Sequence, residues 1–200
     1  MCCRFYISSL DANDLLEEYI SELNRTVPLG EIHPGDLSPV LAPGRETRKA
    51  KPFLMRWGFS MDRKLVINCR SESAAEKPMF RESFRSRRCL IPARWYWEWD
   101  HAETPPARYR YELDRPFVFL AGIYRLEGRE PVFTVLTREA SEDVQGHHDR
   151  MPVMLDITRE TVSGYLDSGT DPSDLLSHAL LHVTPVREGK KPPEQMKLQI

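Results

Sequence analysis

Residues 88–100 read RCLIPARWYWEWD, and residues 117–137 read FVFLAGIYRLEGREPVFTVLT. Both stretches are crowded with aromatic and β-branched side chains and punctuated by Pro, Gly and charged clusters, the composition of strands joined by turns. Five strands are expected in and between these stretches: Cys89–Ile91, Trp95–Trp99, Arg108–Leu113, Phe117–Tyr124 and Val132–Thr137. Phe53–Trp57, Leu65–Asn68 and Leu181–Val186 are shorter candidates. Helical spacing of Leu15, Leu16, Tyr19, Ile20 and Leu23 predicts an amphipathic helix over residues 11–25. Ser71–Arg87, broken near Pro78, reads as helix, as do Arg159–Leu166 and Asp171–Ala179. Residues 26–52 carry Pro28, Pro34, Pro39, Pro43 and Pro52 and are expected to be extended loop. From Arg187 the chain becomes a polar tail to residue 200. Successive strands with flanking helices predict one α+β domain over residues 1–200, built on an antiparallel, barrel-like β core.

Composition narrows the class. Hydrophobic residues make up 40% of the 200 and ten glycines add 5%, and together they lie within the globular range. Sixteen prolines exceed the usual share of about 5% and predict many fixed turns. No apolar run reaches the roughly 18 residues of a spanning helix, and the start lacks the apolar core of a signal peptide. A membrane protein is thereby excluded and a cytoplasmic, reducing location expected. Cysteines 2, 3, 69 and 89 form no CxxC pair, so neither a zinc site nor a disulfide framework is favoured. A formal net charge of −2 rules out nucleic-acid binding by global charge but leaves room for a local groove.

Cys2 holds the most unusual chemical position. Removal of Met1 would leave an α-amine and a thiol on one short carbon frame. The amine has a pKa of about 8, so a useful fraction is nucleophilic at neutral pH. It can condense with an aldehyde to an imine, which the thiol then closes to a thiazolidine. Position alone is equally compatible with the frayed start of any chain. Glu98 sits in Trp95-Tyr96-Trp97-Glu98-Trp99. By alternation Tyr96 and Glu98 share one face and the tryptophans the other. Pattern alone favours an outward Glu98; burial would raise its pKa into the acid/base range. His147 and His148 offer imidazole beside Asp149 and Arg150, although loop histidines are more often merely solvated and adjacent ones point apart. The run Arg81, Arg85, Arg87, Arg88 with Phe80 and Phe84 could touch phosphates or be a solvated helix face. Trp57-Gly58-Phe59 could stack bases or fill a core.

Seven spaced blocks then appear in order: Met1-Cys2-Cys3-Arg4-Phe5, Ala42-Pro43, Trp57-Gly58-Phe59, Ile67-Asn68-Cys69-Arg70-Ser71-Glu72, Arg88-Cys89-Leu90-Ile91-Pro92-Ala93, Trp97-Glu98-Trp99 and His148-Asp149-Arg150-Met151-Pro152. Together they resemble the SOS-response-associated peptidase (SRAP) family, whose members crosslink abasic sites. The likeness runs from residue 2 to about residue 155.

The resemblance implies the SRAP fold and a bacterial sensor and shield of abasic sites in single-stranded DNA. Cys2 would form a thiazolidine with the ring-opened sugar's aldehyde. Asn68 would hold the adduct, Glu98 relay protons from the Cys2 amine, and His148 open the sugar ring and assist reversal. Arg4, Arg70 and Arg150 would clamp phosphates, with further DNA contacts from Thr137 and Trp57. No cofactor, metal or membrane enters this reading, and a monomer is expected, nucleoid-associated when bound. The chain departs from the family pattern at Cys3, where Gly is usual, at Cys69 for Ala, at Val40 for Asn, at Arg94-Trp95, and in the short loop after Gly58. Alternatives are a thiol (auto)peptidase with Cys2 as nucleophile and His148 as base, a non-covalent single-stranded DNA binder, and a lyase that cleaves the strand.

Overall fold

A computed structural model describes residues 2–8, 14–20, 28–46, 49–113, 115–177, 179 and 182–188. In chain order the elements are β1 (Arg4–Ile7), α1 (Asp14–Ile20), β2 (Gly30–Ile32), β3 (Leu37–Pro43), β4 (Ala50–Trp57), β5 (Phe59–Met61), β6 (Lys64–Val66), β7 (Asn68–Arg70), α2 (Ser71–Ala74) and α3 (Pro78–Ser86). There follow β8 (Arg88–Ala93), β9 (Trp95–Asp100), β10 (Ala107–Glu112), β11 (Val118–Glu127), β12 (Glu130–Glu139), α4 (Glu142–Gln145), β13 (Arg150–Pro152), β14 (Met154–Leu155), α5 (Arg159–Leu166), α6 (Ser173–Ser177) and β15 (Thr184–Arg187).

The aromatic and β-branched stretches close a barrel. β12, β4, β3, β8 and β11 pair in that order, and β11 returns to β12. Closure leaves these five strands without a free edge. The ring is antiparallel except between β12 and β4; β12 also takes β7 as a parallel neighbour. A second, five-stranded sheet runs β15-β10-β9-β1-β2. Its inner face, with Phe5, Ile7, Tyr96 and Tyr111 buried, joins the barrel in one cluster of apolar side chains. Phe5 meets Trp57 there, ring centroids 4.9 Å apart. Helices seal the outside: Phe80 and Phe84 of α3, and Val162, Tyr165 and Leu166 of α5, are all buried. Each such side chain contributes roughly 1.5–3 kcal/mol by leaving water. The expected α+β class with a barrel-like core flanked by helices is what the chain adopts. Among the described residues no helix is long and apolar enough to cross a membrane.

The proline-rich stretch departs from expectation. Residues 26–52 are not loop throughout; β2, β3 and the start of β4 lie within them, and β3 is a barrel stave. Trp57 N–H donates to the Asp36 carbonyl (2.9 Å) and Gly44 N–H to that of Lys49 (2.8 Å), which makes the even residues of β3 the hydrogen-bonded ones toward β4. Pro39, Pro43 and Pro52 occupy the other positions, where the missing N–H would point away from that ladder. On its far side β3 meets β8 in register only at Leu41 and Leu90, so the absent donors cost little there.

Other differences are local. Leu65–Asn68 is two strands, because at Ile67 the chain leaves its hairpin partner β5 for β12. The Ile67 carbonyl marks the change of partner, accepting from Val135 N–H and Trp57 Nε1. Of the helix expected over 11–25, Asp14–Ile20 is helical, and residues 11–13 and 21–25 lie outside the described residues. The last helix is shorter than Asp171–Ala179. Arg187 belongs to β15, and Glu188 pairs with Arg108 at 2.5 Å, so the polar tail starts later than its composition suggests.

Gly122 on β11 has no room for a side chain. A Cβ there would lie 2.6 Å from Ile91 Cδ1 and 3.0 Å from the Thr134 carbonyl oxygen. Gly122→Ala should destabilise the fold by roughly 1–3 kcal/mol through overpacking, measured by urea unfolding; unchanged stability would mean that the barrel wall yields freely.

Candidate active site

Cys2 reaches its place because β1 is an interior strand of the second sheet, held between β9 and β2. The pairing of Arg4 with Trp97 and Phe5 with Tyr96 draws the start of the chain alongside Glu98. Cys2 is fully buried. Its carbonyl accepts a 2.7 Å hydrogen bond from Asn68 Nδ2, and its thiol faces the Arg4 carbonyl at 3.5 Å. Asn68 opens β7, whose parallel pairing with β12 fixes its backbone. The other amide atom, Asn68 Oδ1, is buried with no partner among the described residues.

Glu98 is 2% exposed, so the inward reading of the alternating strand is the correct one. Tyr96, Glu98 and Asp100 form the covered face. The tryptophan face carries arginines instead: Arg4 lies 5.1 Å from the centre of the Trp99 ring, Arg108 4.9 Å from that of Trp97 and Arg110 5.0 Å from that of Trp95. Burial pushes the Glu98 carboxyl up to about 7, and the charge of Asp149 adds to the effect. Burial also pushes the Cys2 thiol well above its ordinary range, with Glu98 and Cys3 reinforcing it, and takes Cys3 to about 11. Both thiols are therefore protonated at neutral pH.

His148 lies in the turn between α4 and β13. Its Nδ1 accepts from the Arg150 backbone N–H at 2.9 Å, which leaves the ring proton on Nε2. Asp149 Oδ1 stands 3.0 Å from the same nitrogen, but its side chain is 82% exposed and its pull is screened. Burial lowers the His148 pKa, so the neutral ring prevails. His148, His147, Arg70, Trp99 and Asp100 line an open cleft of about 770 Å³. The two histidines take different partners: His147 Nδ1 lies 3.1 Å from Asp100 Oδ2, and its ring stacks on Tyr109.

The arginines divide. Arg70 is exposed in the cleft and forms no ion pair among the described residues. Arg4 is partly exposed and bound to Glu31 at 2.6 Å. Arg150 is buried: its two Nη atoms meet the two Glu72 oxygens at 2.9 Å each, and Nη2 also donates to the Thr137 carbonyl at 2.8 Å. Its guanidinium thus ties α2 to β12 behind His148. Thr137 is fully buried, with its hydroxyl 3.4 Å from the Cys69 carbonyl. Trp57 is fully buried, donates from Nε1 to the Ile67 carbonyl and stacks on Phe133, so no face of it is open to a base. Glu72 and the Asp100–His147 pair went unnoticed as site neighbours; their partners come from distant strands, and no local spacing signals them.

The fold and this cluster define a class: a small barrel protein that buries its second residue, with that residue's carbonyl held by a side-chain amide and its thiol under the charge of a raised carboxyl, and that keeps a neutral imidazole in a cleft. The family model described as SOS response associated peptidase (SRAP) matches residues 1–191, and the chain belongs to that family. It is 33% identical over 200 residues to the abasic site processing protein YobE of Bacillus subtilis, with 88% of this chain and 87% of that one covered. Against the abasic site processing protein HMCES of Xenopus tropicalis it is 29% identical, covering 60% of this chain and 46% of that one. A phage-related protein from Bordetella bronchiseptica shares the fold with a TM-score of 0.71 at 20% identity, over 94% of this chain and 95% of that one.

The raised carboxyl has a stability consequence. Folding takes Glu98 from an ordinary 4.5 to about 7, so the native state holds its proton more tightly than the unfolded chain. The group costs nothing below the lower value, and stability falls as pH rises toward the upper one, by about 3 kcal/mol in all. Glu98→Gln should therefore match the parent protein in urea unfolding at pH 4 and exceed it by up to about 3 kcal/mol at pH 8. Equal stabilities at both pH values would place the carboxylate in a solvated setting.

Proposed function

We propose that the protein captures abasic sites in single-stranded DNA covalently through Cys2 and shields them in a thiazolidine crosslink. The observation that carries this reading is the burial of Cys2, its carbonyl held by Asn68 and its thiol under the electrostatic influence of Glu98, while Arg70 and Trp99, two residues and one residue beyond those groups in sequence, line a cleft with His148. Naming of the relatives as abasic site processing proteins supports the same substrate.

Removal of Met1 frees the Cys2 amine. Glu98, near 7, takes a proton from the ammonium of about pKa 8 without a large mismatch. His148 presents Nε2–H to the ring oxygen of the closed sugar and opens it to the aldehyde. The amine adds to that carbonyl carbon, and the oxygen leaves as water, protonated through Glu98. The thiol then adds across the C=N bond, its proton passing to nitrogen, so the whole sequence releases one water and changes no oxidation state. Asn68 holds the Cys2 carbonyl and with it the angle of attack. Arg4 and Arg70 meet the flanking phosphates; Arg150, Thr137 and Trp57 act by holding the frame on which those groups stand.

The thiol (auto)peptidase alternative draws less support. It needs a thiolate stabilised by a cationic neighbour, and the surroundings of Cys2 drive its pKa the other way.

The test is to mix the protein with a single-stranded oligonucleotide bearing one abasic site and run a denaturing gel after heating. A shifted band is expected for the parent protein and not for Cys2→Ser. Equal bands from the two would overturn the proposal.

A further inference from the structure

Two residues before Glu98 on the covered face of β9 stands Tyr96, and Tyr111 of β10 is its register partner. Their rings stack with centroids 5.0 Å apart and planes inclined by 12°. Tyr96 is 1% exposed and Tyr111 0%. Neither hydroxyl has a hydrogen-bond partner among the described residues. On its other side Tyr96 is flanked by Phe5 of β1, the strand that follows Cys2. A buried hydroxyl left unpaired costs about 1–3 kcal/mol, so phenylalanine would serve packing better at both positions. Tyr96 feels the charges of both Cys2 and Glu98, and Tyr111 that of Glu98, while the Tyr96 hydroxyl makes no hydrogen bond to the protonated thiol in this state. Burial keeps both phenols protonated, so each has an O–H to donate.

Among the described residues the thiol has one acceptor in contact, the Arg4 carbonyl. A carbonyl can hold sulfur only while sulfur keeps its proton. Ring closure removes that proton, and the sulfur then needs a donor.

We propose that Tyr96, held in place by Tyr111 as a positioning residue, donates its hydroxyl to the Cys2 sulfur as the thiazolidine ring closes. The role rests on the covalent reading of the site given above. In the step itself the S–C bond forms, the C=N π pair becomes the new bond to hydrogen on nitrogen, and the thiol proton travels to that nitrogen through Glu98. The phenol keeps its own proton throughout and stabilises the sulfur only while negative charge builds on it. Tyr111 contributes by stacking, which fixes the plane of the Tyr96 ring and so the direction of its hydroxyl.

The two covalent stages can be read separately. Imine is captured by borohydride, whereas the closed ring survives heating without it; Cys2→Ser retains the amine and marks the imine-only limit. With an abasic single-stranded oligonucleotide, Tyr96→Phe should raise the early ratio of borohydride-dependent to heat-stable product by about tenfold, the size of one hydrogen bond to a developing charge. Tyr111→Phe should shift it in the same direction by less. Binding to an intact oligonucleotide should not change, and the melting temperature should hold or rise, because an unpaired hydroxyl has gone. An unchanged ratio in Tyr96→Phe overturns the inference, as does a proportional loss of both products, which marks a structural role. If Tyr96→Phe does not fold, the ratio for Tyr111→Phe decides alone. Should the parent protein give neither product, the covalent reading falls and this inference with it.

Discussion

The 2.7 Å hydrogen bond from Asn68 Nδ2 to the Cys2 carbonyl ties the beginning of the chain to the barrel. Chain ends ordinarily fray because nothing offsets their entropy. Here two constraints act together. β1 is held on both sides as an interior strand, and Asn68, rooted in a strand paired with the barrel, grips the residue two positions before it. The remaining site groups are arranged about that anchored point: Glu98 from the neighbouring strand, and His148 from the turn that Arg150 fastens to Glu72 and Thr137.

Burial then sets the chemistry. In water a carboxyl is ionised and an imidazole about a quarter charged at neutral pH; here burial raises the carboxyl to about 7, lowers the imidazole and keeps the thiols protonated. Little fixed charge remains around Cys2, which suits condensation with a neutral carbonyl better than attack by a thiolate. Positive charge is carried by Arg70 in the cleft and by Arg4 on the tryptophan face of the second sheet, beside Trp99. A protein with a formal net charge of −2 can thus present a locally basic border.

Much of the barrel was legible in the strands between residues 88 and 137, where composition and punctuation agree. β3 was not, because proline reads as a loop former and only the phase of the β3–β4 ladder reveals that Pro39, Pro43 and Pro52 fall where no donor is needed. Likewise, alternation correctly separated Tyr96 and Glu98 from the tryptophans but could not say which face points inward. That choice depends on the barrel, which covers the tyrosine and carboxyl side, while arginines cover the indoles. Trp57 shows the converse: an aromatic beside Arg56 suggests a stacking surface, yet Phe5, Phe133 and the Ile67 carbonyl occupy it from three directions. Arg150 and Thr137 have interior partners that no local motif records.

The central claim is that the α-amine and thiol of Cys2 are both consumed by one aldehyde carbon. Intact-mass spectrometry of the protein after incubation with an abasic oligonucleotide, followed by peptide mapping, tests it most directly. The account predicts a chain lacking Met1 whose mass rises by that of the oligonucleotide less one water, with the modification at Cys2. A mature chain that keeps Met1 or carries an acetyl group on its first residue, or an adduct mapped to any other side chain, would contradict it.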